Sequence, residues 1–342
     1  MHDSDLDAAT PPRPAAFAME AGLQFDLFDG PALRRLQSVT SIDVGLAIRD
    51  FTEVDDATLA RFEILVTGWG APNIGPDELE RLPNLRAIFH AAGTVKGHLA
   101  PEVWDRGILV TTAAAANAYP VAEYTLAMIL LAGKGVLPIV RDYRTDASLD
   151  VAVDYPAIGN YRRTVGIIGA STVGRLVIEL LAPFDFEVLL YDPLIDETDA
   201  VLARARRVEL RELFSSSSIV SIHAPLLPET IGMVGASELA LLEPGATVIN
   251  TARAPIVDQV ALTAAVEAGR IRAILDVTDP EPLPLTDRLR ALPDALLTPH
   301  IAGALGNELL RLGESAVIEA ELYAAGRPPA FPIHKSDLAA RA

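Results

Sequence analysis

Short apolar runs alternate with helical patterns along most of the 342-residue chain. Ile64–Thr67, Arg86–Ala91 and Leu109–Thr112 have the composition of strands. Between them, Pro76–Arg81 and Pro101–Arg106 open helices with proline in the first turn, where its missing N–H costs nothing. A long helix is predicted from Pro120 towards Arg141, with Pro138 kinking or ending it. A second series follows at Val165–Ile168, Val188–Tyr191, Ile219–His223, Thr247–Asn250, Ala273–Val277 and Leu296–Thr298. These runs are continuously apolar, as in parallel strands covered by helices on both faces. Asn307–Ala325 is the last strong helix, and Gly326 is placed to end it. The pattern predicts an α/β protein of two doubly wound, Rossmann-like domains with parallel sheets and an active-site cleft between them.

Composition narrows the class. Half the residues are apolar and the formal charge is −18, so the surface repels nucleic acid and anionic membranes, and an anionic substrate needs a local cation. No cysteine is present, which excludes disulfides, thiolate metal sites and a thiol nucleophile, and no metal site is expected. Residues 1–20, rich in Asp, Ala and Pro, are expected to form a disordered tail. The acidic start lacks the basic and apolar regions of a signal peptide, and the longest apolar stretch, Tyr124–Ala132, is too short to span a bilayer. A cytoplasmic protein is the expectation.

Thr164–Arg175 has the order of a strand, a tight turn and a helix start, with Gly169, Ser171 and Gly174 in a Gly-x-Ser-x-x-Gly pattern. Gly169 allows the turn, and Gly174 lets the helix approach the sheet. The N–H groups of Ser171, Thr172 and Val173 would then face a pyrophosphate at the helix N-terminus. Serine replaces the glycine usual at the middle position, yet it is small and has a hydroxyl of its own to offer a phosphate oxygen. Asp192 ends the next strand at about the spacing, ~20 residues, at which a carboxylate accepts from ribose hydroxyls. A carboxylate there repels a 2′-phosphate, so NAD is favoured over NADP.

Three segments follow late strands of the same series: Asn250–Asp258, Leu275–Pro284 and Thr298–Gly303. With Asn117–Glu123 and Ser221–Leu226, they give five motifs in order. On these residues the chain resembles the D-isomer-specific 2-hydroxyacid dehydrogenase family over about residues 60–325. The resemblance implies hydride transfer between NAD(H) and C2 of a small 2-hydroxy or 2-keto acid. It makes Arg253 the residue that binds the substrate carboxylate and polarises its carbonyl, a task that suits a planar guanidinium. His300 becomes the acid/base at the C2 oxygen, and Glu281 the carboxylate that orients it. Asp276 would bond the nicotinamide carboxamide, and His223, Thr251, Ala252 and Gly303 would lie along the cofactor.

The resemblance also divides the chain, with residues 21–116 and 303–342 forming a flavodoxin-like substrate domain and 117–302 the NAD-binding domain. The substrate domain would contribute Gly93 and Thr94 as backbone donors to the carboxylate. Thr94 stands where the family usually has glycine, and Lys96 where it usually has Asp, so substrate identity stays open among glyoxylate, hydroxypyruvate and larger keto acids. A homodimer through the NAD-binding domain is the family expectation. The competing function is a non-enzymatic, NAD-sensing interaction protein of corepressor type on the same fold.

Overall fold

The computed structural model describes residues 12–340. Two compact units result among these: residues 12–117 with 304–339, and residues 118–303. Each is built on one wholly parallel sheet.

In the first unit the strands are β1 (Arg13–Ala18), β2 (Thr40–Ile48), β3 (Ile64–Thr67), β4 (Ala87–His90) and β5 (Leu109–Thr112), in the order β2-β1-β3-β4-β5. This corrects the expectation of a disordered tail over residues 1–20. Residues 1–11 lie outside the described residues, but Arg13–Ala18 is an internal strand with neighbours on both sides. Ala15 and Phe17 join one buried cluster, and Ala16 and Ala18 join the other. An Ala-rich segment has little strand propensity, so nothing local marks it. Burial on both faces of a central strand overrides that propensity. The helix Leu309–Ala324 packs against the same unit, so closely that a Cβ on Gly313 would fall 1.8 Å from the Leu27 carbonyl oxygen. Gly326, at φ +64°, follows its end.

The second unit holds β6 (Thr164–Ile168), β7 (Glu187–Tyr191), β8 (Arg206–Arg207), β9 (Ile219–Ile222), β10 (Thr247–Asn250), β11 (Arg272–Leu275) and β12 (Ala295–Leu297). Their order is β12-β11-β10-β9-β6-β7-β8. Both faces are covered: Ile168, Val220, Val248 and Leu275 belong to one buried cluster, and Val165, Ile167, Ile249 and Ile274 to the other. That is why these strands are continuously apolar. The chain runs outward from β6 to β8 and then returns to lay β9 on the opposite side of β6. The order therefore reverses between β6 and β9, where open α/β sheets bind ligands at the strands' carboxyl ends.

The long helix differs from expectation. It spans Ala114–Gly133, with Pro120 buried in its second turn, and it breaks at Gly135, not at Pro138. Gly135 is left-handed at φ +62°, and the chain restarts as Val136–Tyr143. Pro138 sits in the first turn of that helix, where its missing N–H leaves no bond unmade. Pro120 does remove one bond, to the Ala116 carbonyl, which its burial in the packed helix offsets. Among the described residues no single helix is long and apolar enough to cross a membrane.

Candidate active site

The turn after β6 is shaped by two glycines. Gly169 has φ +96°, and a Cβ there would lie 2.7 Å from the Ala224 nitrogen. A Cβ on Gly174 would lie 2.0 Å from the Gly169 carbonyl oxygen. Only glycine fits either position, because Gly169 passes hard against His223–Ala224 after β9 and Gly174 against the Gly169 carbonyl. Ser171 has found a different task from the glycine it replaces. It caps the helix Thr172–Leu181, with its hydroxyl accepting from the Gly174 N–H at 3.3 Å. The N–H groups of Ser171, Thr172 and Val173 have no hydrogen-bond partner among the described residues. Three free donors at a helix N-terminus suit a pyrophosphate.

Asp192, just past β7, accepts from the Ala170 N–H at 2.7 Å and from the Leu194 N–H at 2.8 Å, one on each carboxylate oxygen. Each oxygen retains acceptor capacity for a ribose hydroxyl. The nearby cation is engaged elsewhere: Arg175 forks onto Asp199 with two contacts of 2.6 Å and holds that carboxyl down at about 2. His223 is buried, with Nε2 2.9 Å from the Ser221 hydroxyl and Nδ1 unpaired, and burial pushes its imidazole down to about 3. Burial thus favours its neutral form. These features fit the adenosine and pyrophosphate parts of a dinucleotide.

After β10, the Asn250 side chain brackets the Arg253 turn. Its Oδ1 accepts from the Ala252 N–H and its Nδ2 donates to the Arg253 carbonyl, both at 3.0 Å. The Thr251 hydroxyl lies 3.2 Å from that of Thr125, on the helix Ala114–Gly133. Arg253 is half-buried. Burial pulls its guanidinium down from its ordinary value, and the charge of Glu281 opposes that.

Glu281 also meets His300, with Oε1 2.7 Å from Nδ1. A carboxylate only accepts, so Nδ1 carries the proton and Nε2 is left for a substrate. One carboxylate thus acts on both a guanidinium and an imidazole from different loops. Its own loop is held from the side: Gln259 exchanges two hydrogen bonds with the Asp279 backbone, at 2.7 and 2.9 Å.

His300 is one of two non-glycine residues at positive φ among those described, at +56°. Asp276, 1 % exposed, holds this conformation. Its carboxylate accepts from the Thr298 hydroxyl at 2.6 Å, the Ile301 N–H at 2.8 Å and the Ala302 N–H at 2.9 Å, and its carbonyl accepts from the His300 N–H at 2.9 Å. Asp276 thus anchors the histidine loop, and its Oδ2, which accepts one bond, retains acceptor capacity for the carboxamide expected there. Gly303 ends the unit just beyond.

Five further polar residues take part that the motifs do not assign: Asn250, Gln259, Thr298, Tyr124 and Thr125. Asn250 and Thr298 open two of the motif segments without a role of their own in them, and Gln259, Tyr124 and Thr125 are ordinary polar residues whose partners lie 20 or more positions away. Gly93 and Thr94 belong to the first unit, in the turn after β4, where both backbone N–H groups lack partners among the described residues. The Thr94 hydroxyl accepts from the Lys96 N–H at 3.2 Å, so threonine stabilises a turn that glycine would leave loose.

This fold, with a glycine turn and a terminal acid at a sheet's switch point, defines a Rossmann-type dinucleotide-binding protein. Residues 126–302 match the model of the D-isomer specific 2-hydroxyacid dehydrogenase, NAD binding domain. The chain belongs to the D-isomer-specific 2-hydroxyacid dehydrogenase family. It is 31 % identical over 274 residues to a glyoxylate reductase of Thermofilum pendens, covering 78 % of this chain and 80 % of that one. It is 28 % identical over 304 residues to a D-3-phosphoglycerate dehydrogenase of Mycobacterium leprae, covering 87 % of this chain and 52 % of that one. The chain thus spans about half the length of the phosphoglycerate dehydrogenases it matches. A phosphoglycerate oxidoreductase from Rhizobium etli superposes with a TM-score of 0.79 at 25 % identity, over 94 % of this chain and 98 % of that one.

Proposed function

We propose that this chain is an NAD-dependent dehydrogenase of small 2-hydroxy acids, acting as a 2-keto acid reductase when NADH is supplied. The observation that carries the reading is Glu281 placed 2.7 Å from His300 and acting electrostatically on Arg253. Bound NADH supplies the hydride to C2.

The chain's residues do the rest. Arg253 pairs its planar fork with the substrate carboxylate, and its partial burial strengthens that pairing. Negative charge develops on the keto oxygen as hydride arrives, and the guanidinium stabilises it. His300 delivers a proton from Nε2 to that oxygen and takes it back in the oxidative direction. Glu281 keeps the imidazole in one tautomer and orients its ring. Gly93 and Thr94 offer two N–H donors to a carboxylate. The adenosine half of the cofactor is assigned to Gly169, Ser171, Thr172, Val173, Gly174 and Asp192, with His223, Thr251, Ala252 and Gly303 along its path. The charge on Asp192 and the engagement of Arg175 by Asp199 support NAD rather than NADP.

A homodimer through the second unit is part of this reading. Exposed Val140, Tyr143 and Val153 on its 136–161 segment support a second copy as their cover. The deciding experiment follows NADH absorbance across a panel of 2-keto acids, glyoxylate and hydroxypyruvate included. Turnover of at least one, abolished in Arg253→Ala and His300→Ala, is the expected result. Tight NADH binding without turnover across the panel would instead support a sensor.

A further inference from the structure

Two adjacent hydroxyls on one helix reach the two loops that carry His300 and Arg253. On the helix Ala114–Gly133, the Tyr124 hydroxyl lies 2.8 Å from the Thr298 hydroxyl, and Thr125 lies 3.2 Å from that of Thr251. All four residues belong to the second unit. The direction of the first chain follows from chemistry. Thr298 gives its one proton to the Asp276 carboxylate at 2.6 Å, so Tyr124 must donate to Thr298. The phenol thereby sits at the end of an ordered relay, Tyr124 to Thr298 to Asp276, and Asp276 holds the N–H groups of Ile301 and Ala302, the two residues that follow left-handed His300. Burial and the charge of Asp276 both raise the Tyr124 phenol above its ordinary range, which keeps it protonated as a donor.

The second hydroxyl is more deeply placed. Thr125 is fully buried and Thr251 is 8 % exposed, so neither can exchange its partner for water. Thr251 precedes Arg253 by two residues, and Asn250 closes the same turn from the strand side.

We propose that the Tyr124–Thr125 pair is a positioning element that sets the acid/base loop and the carboxylate-binding loop in register with each other. Neither residue touches substrate. Both act through another group, and a helix backbone gives them a fixed separation that two independent loops lack. The inference rests on the function proposed above, but its test does not depend on that function alone.

Tyr124→Phe keeps the ring and removes only the donor, and Thr125→Val keeps the shape and removes only the hydroxyl. In the full chain, Tyr124→Phe should lower kcat by roughly three- to tenfold, the kinetic equivalent of one ordinary hydrogen bond, with the KM for NADH unchanged. Thr125→Val should mainly raise the KM for the keto acid, again by roughly three- to tenfold. Thr298→Ser should retain wild-type kcat, whereas Thr298→Val, which also removes the bond to Asp276, should lose at least as much as Tyr124→Phe. A readout free of turnover comes from NMR of labelled histidine, assigned with His300→Gln. The His300 resonances should shift and broaden in Tyr124→Phe and Thr298→Val and stay sharp in Thr298→Ser.

Sharp, unshifted His300 signals in well-folded Tyr124→Phe, together with unchanged kcat and KM in both helix variants, would overturn the proposal. Should the wild-type chain reduce no keto acid, the dehydrogenase assignment falls, and the NMR comparison alone decides whether Tyr124 holds the loop. If Tyr124→Phe fails to fold, Thr298→Ser against Thr298→Val makes the same test from the other end of the bond, with equal signals in the two refuting the relay.

Discussion

Glu281 Oε1 lies 2.7 Å from Nδ1 of His300, a residue whose backbone is held in the left-handed region at φ +56°. A left-handed histidine costs of order 1 kcal/mol. The cost is met by Asp276, which binds the backbone of three successive residues of the same loop.

Removing the proton carrier tests the pair directly. His300→Gln should lower kcat by roughly a hundredfold or more, the usual worth of general acid–base catalysis. Glu281→Gln keeps an acceptor beside Nδ1 but removes the charge, so its loss should be smaller, roughly tenfold. Steady-state rates with saturating NADH check both, and a Glu281→Gln enzyme slower than His300→Gln would reverse the assigned roles.

Arg253 should tolerate neither deletion nor a conservative change. Two charge-assisted bonds to a carboxylate correspond to roughly a hundredfold in kcat/KM, lost in Arg253→Ala. Lysine offers a point charge in place of a planar fork, so Arg253→Lys should recover little of it. Near-complete recovery by lysine would show that geometry at this position is unimportant.

The cofactor turn makes a steric prediction. Gly174→Ala places a methyl 2.0 Å from the Gly169 carbonyl oxygen, a backbone atom that cannot simply swing aside, and the turn must move. Overpacking of this kind costs about 1–3 kcal/mol and should weaken NADH binding by roughly tenfold or more. Ser171→Ala, by contrast, loses a helix cap worth about 1 kcal/mol and should keep binding. Thermal melts and NADH fluorescence titrations separate the two.

Asp192 should decide between the two dinucleotides. Asp192→Ala removes the ribose acceptor and also the repulsion of a 2′-phosphate. NADH should weaken by roughly tenfold or more, and the NADH/NADPH preference should fall by a larger factor. An unchanged preference ratio would mean that selection lies elsewhere.

Buried imidazoles give the stability a pH dependence of known sign. Burial lowers His90 and His223 from the ordinary 6.5 to about 3, and His98 to about 4. Below pH 6.5 the unfolded chain takes up protons that the native state refuses. The stabilisation is therefore complete above about pH 6.5 and is lost as pH falls towards 3. The slope is at most about 1.4 kcal/mol per pH unit for each imidazole. Urea midpoints between pH 7 and 4 should show this decline, and His98→Gln should flatten part of it. A flat wild-type profile would contradict neutral burial of these rings.

Much of this protein was legible in one dimension. Parallel strands covered on both faces must be continuously apolar, so β6, β9 and β10 stood out at once. Glycine at 169 and 174 could be inferred because backbone approach admits nothing else, and the Arg253, Glu281 and His300 motifs retain their order along the chain. Strand β1 could not be seen, because alanines become strand residues only between two neighbours. The break at Gly135 was hidden behind the more conspicuous Pro138.

Tertiary structure alone decided what holds the candidate catalytic groups in place. Asp276 under the histidine loop, Gln259 beside Glu281, and Tyr124 and Thr125 reaching across 174 and 126 positions all depend on contacts between residues remote in sequence. Local pattern records which face of an element is buried. It does not record which hydroxyl a folded chain will bring within 3 Å of another.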